Sequence, residues 1–469
     1  MFHRTALLCF IAILGMSSAL PQANFSTSLH ATRNGKNYWY GKANGGFENF
    51  TNVPVENVGC VACHGPKDAN GNTYATPYTP GCSDCHPTAT AGFTKDSIKV
   101  DQCLTCHSRQ KTESVTLGYS DVHRSAGFKC WDCHTSNDMH GDGTAYSSML
   151  EPEAISIDCE DCHNSGGGTL PDHSSYDPHG GKLHCTTCHA KTVTSCYNCH
   201  FESQVETQLK RAKQTLHGFV ILANRDEDGK VYPMTFQSLT YQGTAFAAFG
   251  PFTSHTITEE GRTCTDCHAN FGGTNAAIAQ YNAGGQIKFA TWNEADSTLS
   301  VLQGIVPMPA DYQRSFRMDF ITYNGSTSDP VAPSKNWSKI GKDTWDGHQM
   351  FFAKPLTKAQ MAKIGMDTTL TTGVEDPAGG APATFRLEQN YPNPFNPETK
   401  IRVRIAAAGQ VRLAVYDVTG REVAVLMNER REAGEYDVAF NASSLVSGVY
   451  LYRLSAGDFT AVRKMVVLK

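Results

Sequence analysis

Outside one recurring pattern the 469-residue sequence holds a single cysteine, Cys9, and residues 385–469 hold neither cysteine nor histidine. With no thiols to spare, a disulfide framework is excluded, because it needs cysteines free of other duties. Long apolar runs are also missing. Beyond the first twenty residues no stretch reaches the roughly 18 residues that a membrane-spanning helix needs. Nor does one charge dominate: 40 basic residues stand against 45 acidic ones. Residues 20–384 carry 27 basic and 36 acidic side chains, a balance that repels nucleic acid rather than attracting it.

The N-terminus explains the remaining cysteine. Met1-Phe2-His3-Arg4 is a short basic segment, Thr5 to Met16 is apolar, and Ser17-Ser18-Ala19 supplies the small residues of a cleavage site. This reads as a secretory signal peptide over 1–19, to be kept out of fold reasoning. Cys9 is then a filler of its apolar run and leaves with it.

What the mature chain does contain is cysteine and histidine in one fixed arrangement. Eight C-x-x-C-H units start at Cys60, Cys82, Cys103, Cys130, Cys159, Cys185, Cys196 and Cys264, and their second cysteines are Cys63, Cys85, Cys106, Cys133, Cys162, Cys188, Cys199 and Cys267. Composition alone would give about 0.02 such units. Two thiols at i and i+3 reach the two vinyl groups of one haem as thioethers, and the adjacent histidine ligates the iron. A zinc ribbon explains paired cysteines but not a histidine after each second one. A thioredoxin-like site needs one such pair on a βαβ unit, not eight. The expected cofactor is eight c-type haems, with their iron.

Each motif histidine (His64, His86, His107, His134, His163, His189, His200 and His268) offers one axial ligand. The occupant of the opposite axial position separates an electron carrier from a catalyst, since only an open iron binds substrate. Setting aside His3 and the motif residues leaves nine histidines. Eight of them, His30, His123, His140, His173, His179, His184, His217 and His255, lie in or beside the motif region and match the haems one for one. His348 is the spare. The count favours two histidines on every iron, and leaves Lys42 and Met139 open as alternative ligands. Any one of these histidines could equally be a surface or hydrogen-bonding residue.

Composition divides the mature chain. Residues 20–270 carry every motif and are expected to form a cytochrome domain of mostly irregular chain, with short helices and a few strands wrapped round macrocycles. The span from Cys60 to His268 leaves about 26 residues per haem, too few for an ordinary core. Single helical turns should carry the motifs. A helix is expected over Glu202–His217, and a hairpin pairs Phe219–Ala223 with Val231–Tyr241. The Asn224-x-Asp226-x-Asp228-Gly229 run resembles half a calcium loop but lacks the closing glutamate, so a plain turn is preferred. The eleven residues from Cys185 to Cys196 imply two haems in close contact. Residues 271–367 form a haem-free extension packed on the cytochrome domain, and 368–384 (TTLTTGVEDPAGGAPAT) read as a linker. Residues 385–469 show alternating runs broken by turn residues, the pattern of an Ig-like antiparallel β-sandwich.

That last segment also resembles the C-terminal sorting domain of type IX secretion substrates. The resemblance rests on Tyr391-Pro-Asn-Pro-Phe-Asn-Pro397, Tyr416-Asp-Val-Thr-Gly-Arg421, Leu445-Val-Ser-Gly-Val-Tyr450 and Lys464-Met-Val-Val-Leu-Lys469. It implies export through the periplasm, contact with the outer-membrane secretion machinery, and a secreted or cell-surface location. The eight motifs, with local sets such as His123…Cys130-Trp-Asp-Cys-His134…His140, resemble extracellular multihaem cytochromes, including octahaem types that stack into nanowires. That implies electron exchange with redox proteins or extracellular acceptors, and a homopolymer. Octahaem hydroxylamine oxidoreductases and tetrathionate or nitrite reductases are the alternative resemblance. They imply one open or lysine-ligated iron, but this chain shows no C-x-x-C-K. A surface shuttle that never polymerises is the third reading.

Overall fold

The computed structural model describes residues 21–32, 34–51, 53, 81–86, 98–163, 177–207, 211–329, 335–371, 385–387, 390, 393–405, 407–457 and 459–469. Cys60, Cys63, His64 and His173 lie outside them. The chain divides between Thr371 and Thr372 into two compact units. No described helix is long and apolar enough to cross a membrane.

From 98 to 163 the first unit is short helices joined by turns, among them Val100–Cys106, Ser108–Lys111, Val122–Ser125, Cys130–Cys133 and Ser136–His140. Beyond residue 190 the character changes. Strands β1 (Val193–His200), β2 (Ala212–Arg225), β3 (Val231–Tyr241) and β4 (Thr244–Pro251) are followed by β5 (Ile287–Asn293), β6 (Thr298–Val301), β7 (Gly304–Pro307), β8 (Phe316–Met318), β9 (Ile321–Tyr323), β10 (Trp337–Lys339), β11 (Gly347–Met350) and β12 (Ala353–Lys354). Seven of these form one sheet in the order β11-β4-β3-β1-β2-β12, with β7 also on β2.

The expected hairpin is present, with Ile221 opposite Met234 and Asn224 opposite Val231. Asp226–Gly229 closes it as a plain turn: Gly229 has φ 67°, and Asp228 accepts from the Lys230 amide at 2.9 Å. At its far end the hairpin splays and β1 enters between its strands, antiparallel to β2 and parallel to β3.

Two expectations fail here. The helix expected over Glu202–His217 stops at Glu206, and from Ala212 the chain is strand. Pairing with β1 (Cys199 opposite Ala212, Cys196 opposite Thr215) outweighs the helical propensity of those residues. Regular structure is also far from sparse, and the strands are not few. Phe219, Phe236 and Phe249 on the sheet pack against Phe289 and Phe316 from the later strands, and all five are buried. On the opposite face Phe47, Phe201, Phe246 and Phe351 form a second cluster. The Trp39 ring reaches that face where a Cβ at Gly250 would stand, so the site requires glycine. Side chains, not macrocycles alone, supply this half of the core.

The second unit holds β13 (Arg386–Leu387), β14 (Glu398–Ile405), β15 (Gly409–Asp417), β16 (Glu422–Arg431), β17 (Gly434–Asn441), β18 (Gly448–Ala456) and β19 (Phe459–Val467). They form two antiparallel sheets, β13-β14-β17 and β16-β15-β18-β19, which share one buried cluster. In β18 the buried residues Tyr450, Tyr452, Leu454 and Ala456 alternate with outward ones, as the sequence pattern requires of a sandwich strand.

Candidate haem-attachment sites

Of the seven motifs within the described residues, six are built alike. In the turns that begin at Cys82, Cys103, Cys130, Cys159 and Cys264, the histidine amide donates to the first cysteine carbonyl at 2.8–3.0 Å. One helical turn therefore sets both thiols on one side with the imidazole beside them. The sixth motif lies in the helix Cys185–His189. Four turns are stapled by the aspartate before the second cysteine. Asp84, Asp132, Asp161 and Asp266 each accept from the amide before the first cysteine at 2.7–2.8 Å. The recurrence of C-x-D-C in the sequence was the available sign of this.

The seventh motif departs from the pattern. Cys196 to His200 are the second half of β1. Strand alternation would throw Cys196 and Cys199 to opposite faces. Asn198, with φ 45°, and a one-residue step in register against β3 prevent this, so Cys196 pairs with Gln237 and Cys199 with Leu239. Leu239 belongs to the second cluster and Gln237 donates to the Tyr40 hydroxyl on the same face. Both thiols thus face one side by a bulge rather than by a helical turn.

Among the described residues, five motif histidines each face a histidine from outside the motifs. His107 faces His30 with ring centres 6.1 Å apart, His86 faces His140 at 6.2 Å, and His163 faces His123 at 6.1 Å. His134 faces His255 at 6.3 Å and His268 faces His179 at 6.1 Å. Two imidazoles on opposite sides of one metal ion stand apart by two bonds of about 2 Å plus two ring radii, about 6 Å in all. The donor set therefore fits an iron held between each pair.

The rings are oriented through Nδ1. It meets the carbonyls of Met139 for His30 (3.1 Å), Thr258 for His189 (3.0 Å) and Lys363 for His268 (2.9 Å). It meets hydroxyls of Ser136 for His140, Ser203 for His200 and Tyr119 for His217. A bond at Nδ1 fixes the tautomer and leaves Nε2 to face a metal; in His200 that nitrogen lies 3.2 Å from the Glu202 carboxylate. Burial pushes His30, His86, His140 and His163 below the ordinary histidine value, and His255 down to about 4. Each is thereby held in the neutral form that ligation requires.

Two expected outer ligands sit differently. His184 caps its own helix, with Nδ1 2.7 Å from the Thr186 hydroxyl, Nε2 3.5 Å from Asp158, and its ring stacked on Tyr232. His217 bonds Tyr119 at 2.8 Å. The described residues bring no motif imidazole opposite either one. His348 lies on β11 against Tyr312 and Trp345. Sequence reasoning passed over Asp121, a buried carboxylate that accepts from the amides of His123, Arg124 and Ile257. Its only sign was its place as a helix-capping aspartate.

Thiols paired in C-x-x-C-H turns, with a second imidazole set across from the motif histidine, define a c-type cytochrome. Residues 81–164, which hold four of the motifs, match the family described as cytochrome c554 and c-prime. Residues 389–468 match the secretion system C-terminal sorting domain. The chain is a c-type cytochrome that ends in a type IX secretion sorting domain, and that tail marks it for export to the cell surface or the medium. No curated protein matches it. Among solved structures, dimeric latent PorU from Porphyromonas gingivalis is similar at 13% identity and a TM-score of 0.18, over 38% of this chain and 14% of its own. The chain spans about a seventh of that protein, and a likeness so slight carries nothing about fold or function.

Proposed function

We propose that the protein carries electrons outside the cell through eight covalently attached haems, each held by two histidines, and that copies assemble into a cytochrome filament. The observation that supports this best is the set of five facing imidazole pairs. An iron with two imidazoles has no open position for substrate, so it exchanges electrons and does no bond chemistry. Bound haem supplies the one-electron couple; the chain supplies position, ligation and shelter from water. Desolvation keeps His30, His86, His140, His163 and His255 neutral and able to ligate, and Nδ1 bonds orient His30, His140 and His268. The secretion tail supports the extracellular setting.

The purified ferric protein, with no added ligand, should be wholly low-spin by EPR. A substantial high-spin signal that shifts with hydroxylamine, nitrite or sulfite would replace this reading with that of an octahaem oxidoreductase. Electron microscopy of secreted protein should show filaments; monodisperse particles alone would reject assembly and leave a shuttle.

A further inference from the structure

We propose that six attachment sites form one unbroken line in the order Cys82, Cys103, Cys130, Cys159, Cys185, Cys264, and that the site at Cys196 lies off it. The eighth motif thus follows directly on the sixth. This rests on the multihaem electron-transfer reading above.

Each link is visible in the chain itself. His30, opposite His107, holds the carbonyl of Met139, whose neighbour His140 stands opposite His86. That ties the second site to the third. Helix Ser136–His140 begins two residues after His134, which brings the fourth site alongside. Between fourth and fifth, one carboxylate does the joining: Asp121 accepts from the His123 amide at 3.0 Å and the Ile257 amide at 2.9 Å. His123 serves the fifth motif histidine, and His255, two residues before Ile257, serves the fourth. At the next step Asp158, Cys159 and His184 place their ligand atoms within 4.8 Å of one another, with Cys185 next in sequence. Finally, Thr258 binds His189 in both directions, at 2.8 and 3.0 Å, and the Arg262 amide donates to the Cys188 carbonyl at 3.1 Å. Two residues later the chain reaches Cys264.

The thiols agree. Cys103 and Cys130 share a side-chain hydrogen bond, and so do Cys159 and Cys185. The seventh motif, in contrast, turns both thiols to the sheet face that carries Phe47, Phe201 and Phe246. The eleven-residue interval from Cys185 does not make its site the neighbour of the sixth, because the chain leaves the helix at Ala190 and runs into β1.

Removing one cysteine pair removes one haem, and neighbouring ferric haems broaden one another's EPR signals. In the haem-loaded protein, Cys185→Ala with Cys188→Ala should leave the signal of the Cys264 site sharpened. Cys196→Ala with Cys199→Ala should leave that signal unchanged. The order is overturned if the second variant sharpens it and the first does not. A variant that does not accumulate leaves a direct measurement on the wild type, the iron positions in a structure of the haem-loaded protein. The iron at Cys185 is expected nearer the iron at Cys264 than the iron at Cys196, and the reverse overturns the proposal. A high-spin wild-type signal would sink the two-histidine reading while leaving these iron distances to judge the order.

Discussion

The imidazoles of His86 and His140 face each other with ring centres 6.2 Å apart and planes within 17°. The two residues belong to different helical segments; His86 is buried and His140 half-buried, desolvation lowers both imidazoles, and a shared ligand would account for their spacing. Replacing His140 with Ala should therefore open one iron. EPR should show a high-spin signal equal to one haem, and carbon monoxide should bind to the reduced protein with the same stoichiometry. His348→Ala is the contrast. It is the one histidine beyond those that eight irons need and lies against Tyr312 and Trp345, so its loss should leave the spin state unchanged.

A second expectation concerns Asn198, the buried residue whose backbone bulge turns Cys196 and Cys199 to one face. Its side chain donates to the Ile321 carbonyl at 2.9 Å and accepts from the Ser238 hydroxyl at 3.1 Å. Asn198→Gly keeps the left-handed backbone and loses those bonds, a cost of about 1–2 kcal/mol. Asn198→Val loses both, and a β-branched residue at positive φ adds its own strain. Haem quantitation should give the full count for the glycine variant and one haem fewer for the valine variant. Equal counts in both would mean that the bulge is not what fits the seventh motif to haem.

Legibility in the sequence followed locality. The hairpin around Asp228-Gly229 and the alternation of Tyr450, Tyr452 and Leu454 were readable, because period and turn residues lie within a few positions. The strand over Ala212–Arg225 was not. Gln204, Lys210 and Lys213 look helical, and only β1, arriving between two strands of a hairpin, decides otherwise. Among the outer histidines, counting named all five that face motif rings among the described residues, but counting cannot say which ring each one faces. That His140 stands opposite His86 is decided only once the chain is folded. The aspartates of the C-x-D-C turns stood in plain sight.

The sorting domain makes a prediction about place rather than chemistry. Its strands close on their own buried cluster, with Ile401, Val411, Leu413, Tyr452 and Met465 fully buried. Deleting residues 385–469 should leave haem content and the ferric EPR spectrum unchanged. It should, however, retain the protein in the periplasm. Fractionation with haem staining checks this, and haem-stained protein still reaching the medium from the truncated gene would remove the tail from the export route.

The last prediction tests the sheet half of the first unit through pH. Asp319 is buried between strands β8 and β9, and burial alone would raise its carboxyl. Hydrogen bonds from Lys288 at 2.6 Å and Lys339 at 2.7 Å, with the Trp292 amide at 2.9 Å, outweigh that and hold it below the ordinary carboxylate value. A carboxyl depressed in the folded state favours folding above its unfolded value of about 3.9. Within the window just below that value the unfolded chain binds more protons, so stability falls as pH falls toward the folded value. Asp319→Asn cannot lose this contribution on acidification. At neutral pH the variant should be less stable than the wild type by about 1–3 kcal/mol. The difference should shrink between pH 5 and 3 as the wild-type carboxylate takes up its proton. Denaturant unfolding of both proteins at each pH measures it, and a gap that stays constant down to pH 3 would show that the two lysines do not stabilise the charged form.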